Sequence, residues 1–222
     1  MKKPFSWSYS RWSCFHSCKA KYKYQFIDKI PQPPSPAMER GKEIHSKGEM
    51  FIKGKIRGMP PAYKHFAQEL RSIKKYGAEA EESWAVTSEW KRCEWFSNIA
   101  WCRSKTDAHL YVPEEKEVVV IDFKTGRQYP SHKDQAELYS LKGLLFYPEA
   151  NVATVEFWYL DSGDLRTYEY NRKAVKPLTT RWNRRADEMT REKKFAPNPG
   201  SACRWCPYSI HKGGPCIKAK KG

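Results

Sequence analysis

The run Val118-Val119-Val120-Ile121-Asp122-Phe123-Lys124 reads as a buried strand that ends in an acid and an amine. Successive side chains of a strand alternate faces. Asp122 and Lys124 therefore project from one side and Phe123 from the other. An acid and an ammonium on a buried face cost several kcal/mol of desolvation unless they are paired or hold a metal. Asp107 falls on the preceding strand candidate, Thr106–Val112, with Val112-Pro113-Glu114-Glu115-Lys116 as the hairpin turn between the two. Any fold for this chain must place two carboxylates and a lysine on adjacent strands and give them polar company.

The flanking pattern supplies the rest of the framework. Residues 6–28 are helical in part, with Trp12, Phe15, Tyr22 and Phe26 on one stripe. Pro31-Gln32-Pro33-Pro34-Ser35-Pro36 breaks that segment as an extended linker. Helices are expected at 38–54, 62–76, 131–146 and 173–192. Strands are expected at 83–89, 95–102, 106–112, 118–124, 152–160 and 165–170. Alternating helices and strands of this kind predict an α/β fold, a mixed sheet flanked by helices.

Hydrophobic residues make up 40% of the chain and aromatics 14%, which excludes a disordered polyelectrolyte. No apolar run approaches the ~20 residues of a membrane span, and the basic N-terminus lacks a secretory apolar stretch. A soluble, cytoplasmic protein of bacterial or phage-infected cells is the expectation, with no membrane partner. Six basic residues and no acid lie in 1–24, and seven and none in 193–222, so the two ends hold most of the net charge of +16. Concentrated positive charge favours a polyanion. Aromatics among those charges (Trp7, Tyr9, Trp12, Phe15, Tyr22, Tyr24, Trp205, Tyr208) favour nucleic acid, because bases stack on rings.

Two carboxylates hold hard cations through oxygen, leaving positions for water and phosphate oxygens, and such a cation suits phosphodiester hydrolysis. Lys124 would stabilise charge in the transition state. His45, in Gly41-Lys42-Glu43-Ile44-His45, adds an imidazole from the preceding helix. Gln135 and Tyr139, four residues apart on a helix, share a face and are expected to meet DNA or the active site.

Seven cysteines, Cys14, Cys18, Cys93, Cys102, Cys203, Cys206 and Cys216, are an odd number and argue against a disulfide framework. Cys203-Arg204-Trp205-Cys206 with Cys216 supplies three thiolates at metal-ligand spacing. A fourth ligand would complete either a zinc site or an iron–sulfur cluster. Cys93 and Cys102 lie on strand candidates and read as core thiols.

The ordered set Gly-x-x-x-His45, Asp107, Asp122-Phe123-Lys124-Thr125-Gly126, Gln135-x-x-x-Tyr139 resembles the RecB-type branch of the PD-(D/E)XK nuclease superfamily. Ser8-Tyr9-Ser10-Arg11-Trp12 with Cys18 and Lys21-Tyr22-Lys23-Tyr24 is similar to the family's N-terminal Ser-x-Ser…Cys-Pro…Tyr segment, with Lys19 where proline is usual. The resemblance covers nearly the whole chain and implies a restriction-endonuclease-like core. It also implies a Mg²⁺- or Mn²⁺-dependent DNase with His45, Asp107 and Asp122 as metal ligands. Lys124 would be the catalytic lysine, with Gln135 and Tyr139 counted in the catalytic set. Glu82, on a strand entering the core, is a further acid outside the motif.

The related AddB-type and CRISPR-associated nucleases carry a four-iron cluster on one N-terminal and three C-terminal cysteines. By that resemblance the ligands are Cys18, Cys203, Cys206 and Cys216, with Cys14 the rival of Cys18 and zinc the rival of iron. The implied organisation is 1–36 as a basic segment giving one cluster cysteine, 37–192 as the nuclease core and 193–222 as a cluster-binding tail, all one structural domain. The implied activity is exonucleolytic, on single strands or duplex ends, in recombination, repair or phage DNA processing, with any helicase or recombinase a separate partner. A structure-selective endonuclease and a non-catalytic nucleic-acid-binding protein with a structural cluster are the alternatives.

Overall fold

The computed structural model describes residues 5–221. In chain order the elements are α1 (Tyr9–Ser17), α2 (Lys19–Tyr22), α3 (Pro36–Ile52), α4 (Ala67–Lys75), β1 (Glu79–Ala80), β2 (Ser83–Val86), β3 (Arg92–Cys93), β4 (Cys102–Lys105), β5 (Ala108–Val112), β6 (Glu117–Lys124), α5 (His132–Phe146), β7 (Val152–Tyr159), β8 (Asp164–Asn171) and α6 (Val175–Arg191). They fall into two compact units. The first comprises residues 5–6 and 36–182, and the second is assembled from both chain ends, 7–35 and 183–221.

The first unit is built on a mixed five-stranded sheet in the order β1-β5-β6-β7-β8. β6 and β7 run parallel while the other neighbours are antiparallel. A parallel pair needs a crossover, and α5 provides it. Alternation along β6 divides the core in two. Ile121 and Phe123 pack with Ile44, Phe51, Tyr63 and Trp158, whereas Val118 and Val120 pack with Ala136, Tyr139 and Leu144 of α5. Asp122 and Lys124 continue the second row, so they face α5. The β5–β6 register pairs Ala108 with Ile121, which sets Asp107 beside Asp122.

α5 is buried from Gln135 through Leu144, which obliges its polar side chains to find partners. Lys142 is fully buried and donates to the carbonyls of Trp84 (3.0 Å) and Cys102 (3.1 Å). It thereby ties α5 to the second, antiparallel sheet β3-β2-β4.

The strand expected at 95–102 is instead a loop, and pairing begins only at Cys102. Successive tight turns, Ser97 N–H to Glu94 O and Ala100 N–H to Ser97 O, bend the backbone there. Arg103 holds the carbonyls of Trp95 (2.8 Å) and Ser97 (3.4 Å) in place. The strand expected at 83–89 stops at Val86, where Thr87 accepts from the Glu89 N–H and closes a turn. Cys102 is a core thiol, while Cys93 is only half-buried.

In the second unit α1 is capped by Ser8, whose hydroxyl accepts from the Arg11 N–H (3.4 Å). Phe15 meets Tyr22 edge-on at 5.4 Å, Tyr22 stacks on Phe195 at 6.3 Å, and Arg185 lies 4.3 Å from the Trp12 ring. Most of the aromatics expected to offer faces to bases are therefore core: Trp7, Trp12, Phe15, Tyr22 and Tyr208 are buried, and only Trp205 of that set is fully exposed. Neither chain end carries a continuous apolar run, so these rings are what the unit has to pack. Among the described residues no helix is long and apolar enough to cross a membrane.

Gly48 is the one position where α3 must lack a side chain. A Cβ there would lie 2.1 Å from the Tyr63 hydroxyl, which donates to the Ile44 carbonyl (3.1 Å). Gly48→Ala is expected to lose about 1–3 kcal/mol by overpacking, read as a lower urea midpoint. Adding Tyr63→Phe should restore part of that loss, and no restoration would place the strain elsewhere.

Candidate active site

All six residues singled out by the sequence pattern lie in the first unit and come together. β6 delivers Asp122 and Lys124, α3 delivers His45, the residue before β5 is Asp107, and α5 delivers Gln135 and Tyr139. His45 Nδ1 lies 2.8 Å from Asp107 Oδ1, and the Phe123 N–H donates to Asp107 Oδ2 at 2.7 Å. Lys124 Nζ donates to Gln135 Oε1 (2.8 Å) and forms an ion pair with Asp122 Oδ2 (2.7 Å). Gln135 Nε2 donates to Asp122 Oδ1 (2.7 Å) and to the Tyr139 hydroxyl (3.1 Å), which in turn donates to the Lys105 carbonyl (3.1 Å). Gln135 and Tyr139, both buried, thus form the inner wall of the site.

Burial and then the charge of Asp122 push the Asp107 carboxyl above its usual pKa, against the pull of His45. Burial alone drags His45 down, but the hydrogen bond and charge of Asp107, with Asp122 behind them, outweigh it and leave the imidazole raised. Burial, with Asp122 and Asp107 adding, holds Tyr139 far above the ordinary phenol value, so it stays a donor. A raised, half-buried carboxyl beside a second, buried carboxylate is a site that a divalent cation would relax. Asp122 Oδ2 shows where: it is buried and, among the described residues, accepts no hydrogen bond of good geometry, while the Lys124 ammonium lies 2.7 Å from it. The donor set of two carboxylates and one imidazole fits a hard divalent ion.

Two neighbours escaped the sequence pattern. The Phe157 ring lies 4.9 Å from Lys124 Nζ. His132, one turn ahead of Gln135, sits 2.6 Å from the Tyr159 hydroxyl, and burial followed by Lys124 lowers its pKa to about 4. Its i−3 spacing from Gln135 was the available signal. A second polar cluster, Glu79, Glu82 and His109, brings three ligand atoms within 4.8 Å. There His109 Nε2 is 2.9 Å from Glu82 and 2.7 Å from the Tyr147 hydroxyl, and Trp84 Nε1 donates to Glu82 at 2.7 Å. Glu82 therefore belongs to this hydrogen-bonded group, and its pKa is lowered chiefly by His109. β1 is two residues long, too short for periodicity to reveal the cluster.

In the second unit a cavity of about 200 Å³ is lined by Cys18, Cys203, Cys206 and Cys216. Cys18 accepts from the Asn198 N–H (3.5 Å) and Cys203 from the Gly200 N–H (3.5 Å). Hydrogen bonds from the Gly200 and Lys220 backbone lower the Cys203 pKa, whereas burial raises that of Cys216. Cys14 does not line the cavity. Its thiol points to Gln25 Oε1 (3.7 Å), and burial pushes its pKa up to about 11.

The model of the PD-(D/E)XK nuclease superfamily matches residues 6–210. No curated protein matches the chain. Among solved structures, SSO0001 is 16% identical, with 100% of this chain and 90% of that one covered at a TM-score of 0.50. A protein from Eubacterium rectale described as "Putative exonuclease" is 13% identical, with 98% and 91% covered at a TM-score of 0.53. Both likenesses concern the fold, a mixed sheet flanked by helices. With a match over nearly its whole length, the chain belongs to the PD-(D/E)XK nuclease superfamily, whose members use divalent metals.

Proposed function

We propose that this nuclease is a metal-dependent DNA exonuclease of the RecB-like branch, hydrolysing phosphodiester bonds in single strands or at duplex ends. The observation that carries the proposal is two sets of contacts, His45 with Asp107 and Asp122 with Lys124, Gln135 and Tyr139, brought together where the Phe123 N–H next to Asp122 donates to Asp107. Asp107 and Asp122, joined by His45, would hold a divalent cation, which supplies Lewis acidity to the attacking water and the phosphate. Lys124 contributes a fixed positive charge. Gln135 and the Phe157 face hold its ammonium in one orientation, so it meets charge growing on phosphate oxygen without first reorganising. Gln135 also aims Asp122, and Tyr139 anchors Gln135. These two are positioning residues. The exonucleolytic choice is supported by the printed description of the Eubacterium rectale fold neighbour. A role in recombination, repair or phage DNA processing, beside a separate unwinding partner, belongs to the same proposal.

The second unit would carry an iron–sulfur cluster on Cys18, Cys203, Cys206 and Cys216. Four sulfurs bound to one zinc at ~2.3 Å lie about 3.8 Å apart. Among the described residues the only ligand trio within 4.8 Å is Glu79, Glu82 and His109. No three cysteine sulfurs form such a group among the described residues, and backbone N–H groups reach three of them as they reach cluster sulfurs, which favours a cluster over one ion in this reading. Such a group would staple the two chain ends of the unit together.

Protein purified without oxygen and given Mg²⁺ or Mn²⁺ should degrade end-labelled linear DNA and spare closed circles. Asp122→Ala and Lys124→Ala should each lose at least about a hundredfold in rate. Cutting of circles would make it an endonuclease, and no metal-dependent cleavage would end the proposal. Gln135→Leu keeps the shape and removes the hydrogen bonds, so metal affinity or turnover should fall about 10–100-fold. A wild-type rate would deny Gln135 its positioning role. Iron, acid-labile sulfide and broad visible absorption should survive Cys14→Ser and vanish in Cys18→Ser; zinc in their place would refute the cluster.

A further inference from the structure

The second unit leaves one indole in water while burying the others it owns. Trp205 is 72% exposed, against 1% and 3% for Trp7 and Trp12 of the same unit. It stands between Cys203 and Cys206 at the end of a 3-10 turn, Ser201–Trp205, so its backbone is held by the wall of the cysteine cavity. The Arg204 guanidinium lies 4.7 Å from its ring centroid. Lys21 and Lys218 line the same cavity as Trp205. Residues 193–221 contain no acid, and two acids elsewhere in the unit, Asp28 and Glu192, are paired with Lys23 and Lys19.

A flat π face beside several cations and no carboxylate of its own segment has a specific complement. Unpaired bases offer π faces to stack, and the backbone that joins them offers a negative charge at each step. An acidic protein surface or an anionic membrane would satisfy the charge and leave the ring without a partner of its own shape. The Arg204 guanidinium lies over one face of the indole, and a base can stack on the other.

We infer that Trp205, flanked by Arg204, Lys21 and Lys218, is a stacking platform for single-stranded DNA. The choice of DNA rests on the nuclease reading; the platform itself does not use the catalytic residues. The platform adds to the active site a place where a strand is gripped by its bases, one that discriminates unpaired from fully paired nucleotides.

The test uses full-length protein purified without oxygen, in the absence of divalent cation. Fluorescence anisotropy measures binding of labelled dT20 and of an abasic 20-mer of equal charge. Trp205→Ala should weaken dT20 binding about tenfold and leave the abasic strand unaffected, while Trp205→Phe stays within about threefold of wild type. Lys218→Gln should weaken both strands and lower the salt dependence. Equal dT20 affinity in Trp205→Ala would overturn the inference. So would equal weakening on both strands, or a loss that merely tracks bleaching of the visible absorption, which would make Trp205 a shield for the cysteine site.

If Trp205→Ala does not fold, quenching of intrinsic fluorescence by dT20 decides the matter. Trp205→Phe should remove part of the quench, and an unchanged quench would overturn the inference. Metal-dependent cleavage without Trp205-dependent binding sinks the platform alone. Trp205-dependent binding without cleavage sinks the nuclease reading alone.

Discussion

Asp107 and Asp122 share one buried corner of the first unit, and the groups around them are arranged to make that arrangement stable. Burial, and then the charge of Asp122, raise the proton affinity of Asp107. His45 and the Phe123 N–H take up Asp107, while Gln135 and Lys124 take up Asp122. The β5–β6 register brings the two acids together, and the parallel crossover through α5 carries Gln135 and Tyr139 over them. Glycine at 48 lets α3, with His45, lie against Tyr63. The fold of the first unit is thus the means of holding one strained polar pair at the end of a central strand.

The second unit solves a different problem. Its two segments come from opposite ends of the chain and bring much positive charge with little aliphatic surface. Rings supply the core: Trp7, Trp12, Phe15, Tyr22 and Tyr208 are buried there. Four cysteines line a cavity, three of them reached by backbone N–H groups, and the proposed cluster on them would be a covalent alternative to a larger core. Small units with limited apolar surface commonly rely on such cross-links. Trp205 departs from the pattern because its ring lies outside the core that these five rings join.

Periodicity made the central part of the first unit readable. The Val118–Lys124 run specified its faces by alternation, and the period of the 131–146 helix put Gln135 and Tyr139 on one side. Signals failed where tertiary contacts overrode local pattern. The 95–102 segment has strand-like residues, yet Arg103 pins it as a loop. Lys142 looks like a surface lysine, but the carbonyls of β2 and β4 need its donors. Glu79, Glu82 and His109 converge through the short pairing of β1 with β5. The basic ends announced a polyanion partner through charge, whereas which rings remain exposed depended on a core that no local window contains.

The most direct test of the central claim is anomalous diffraction from crystals of the full chain grown with Mn²⁺. A peak about 2.1–2.5 Å from carboxylate oxygens of both Asp107 and Asp122, the range for hard cations on oxygen, is the predicted result. A peak confined to Glu79, Glu82 and His109 would contradict it, because the catalytic cation would then sit on a cluster that Lys124 and Gln135 do not serve.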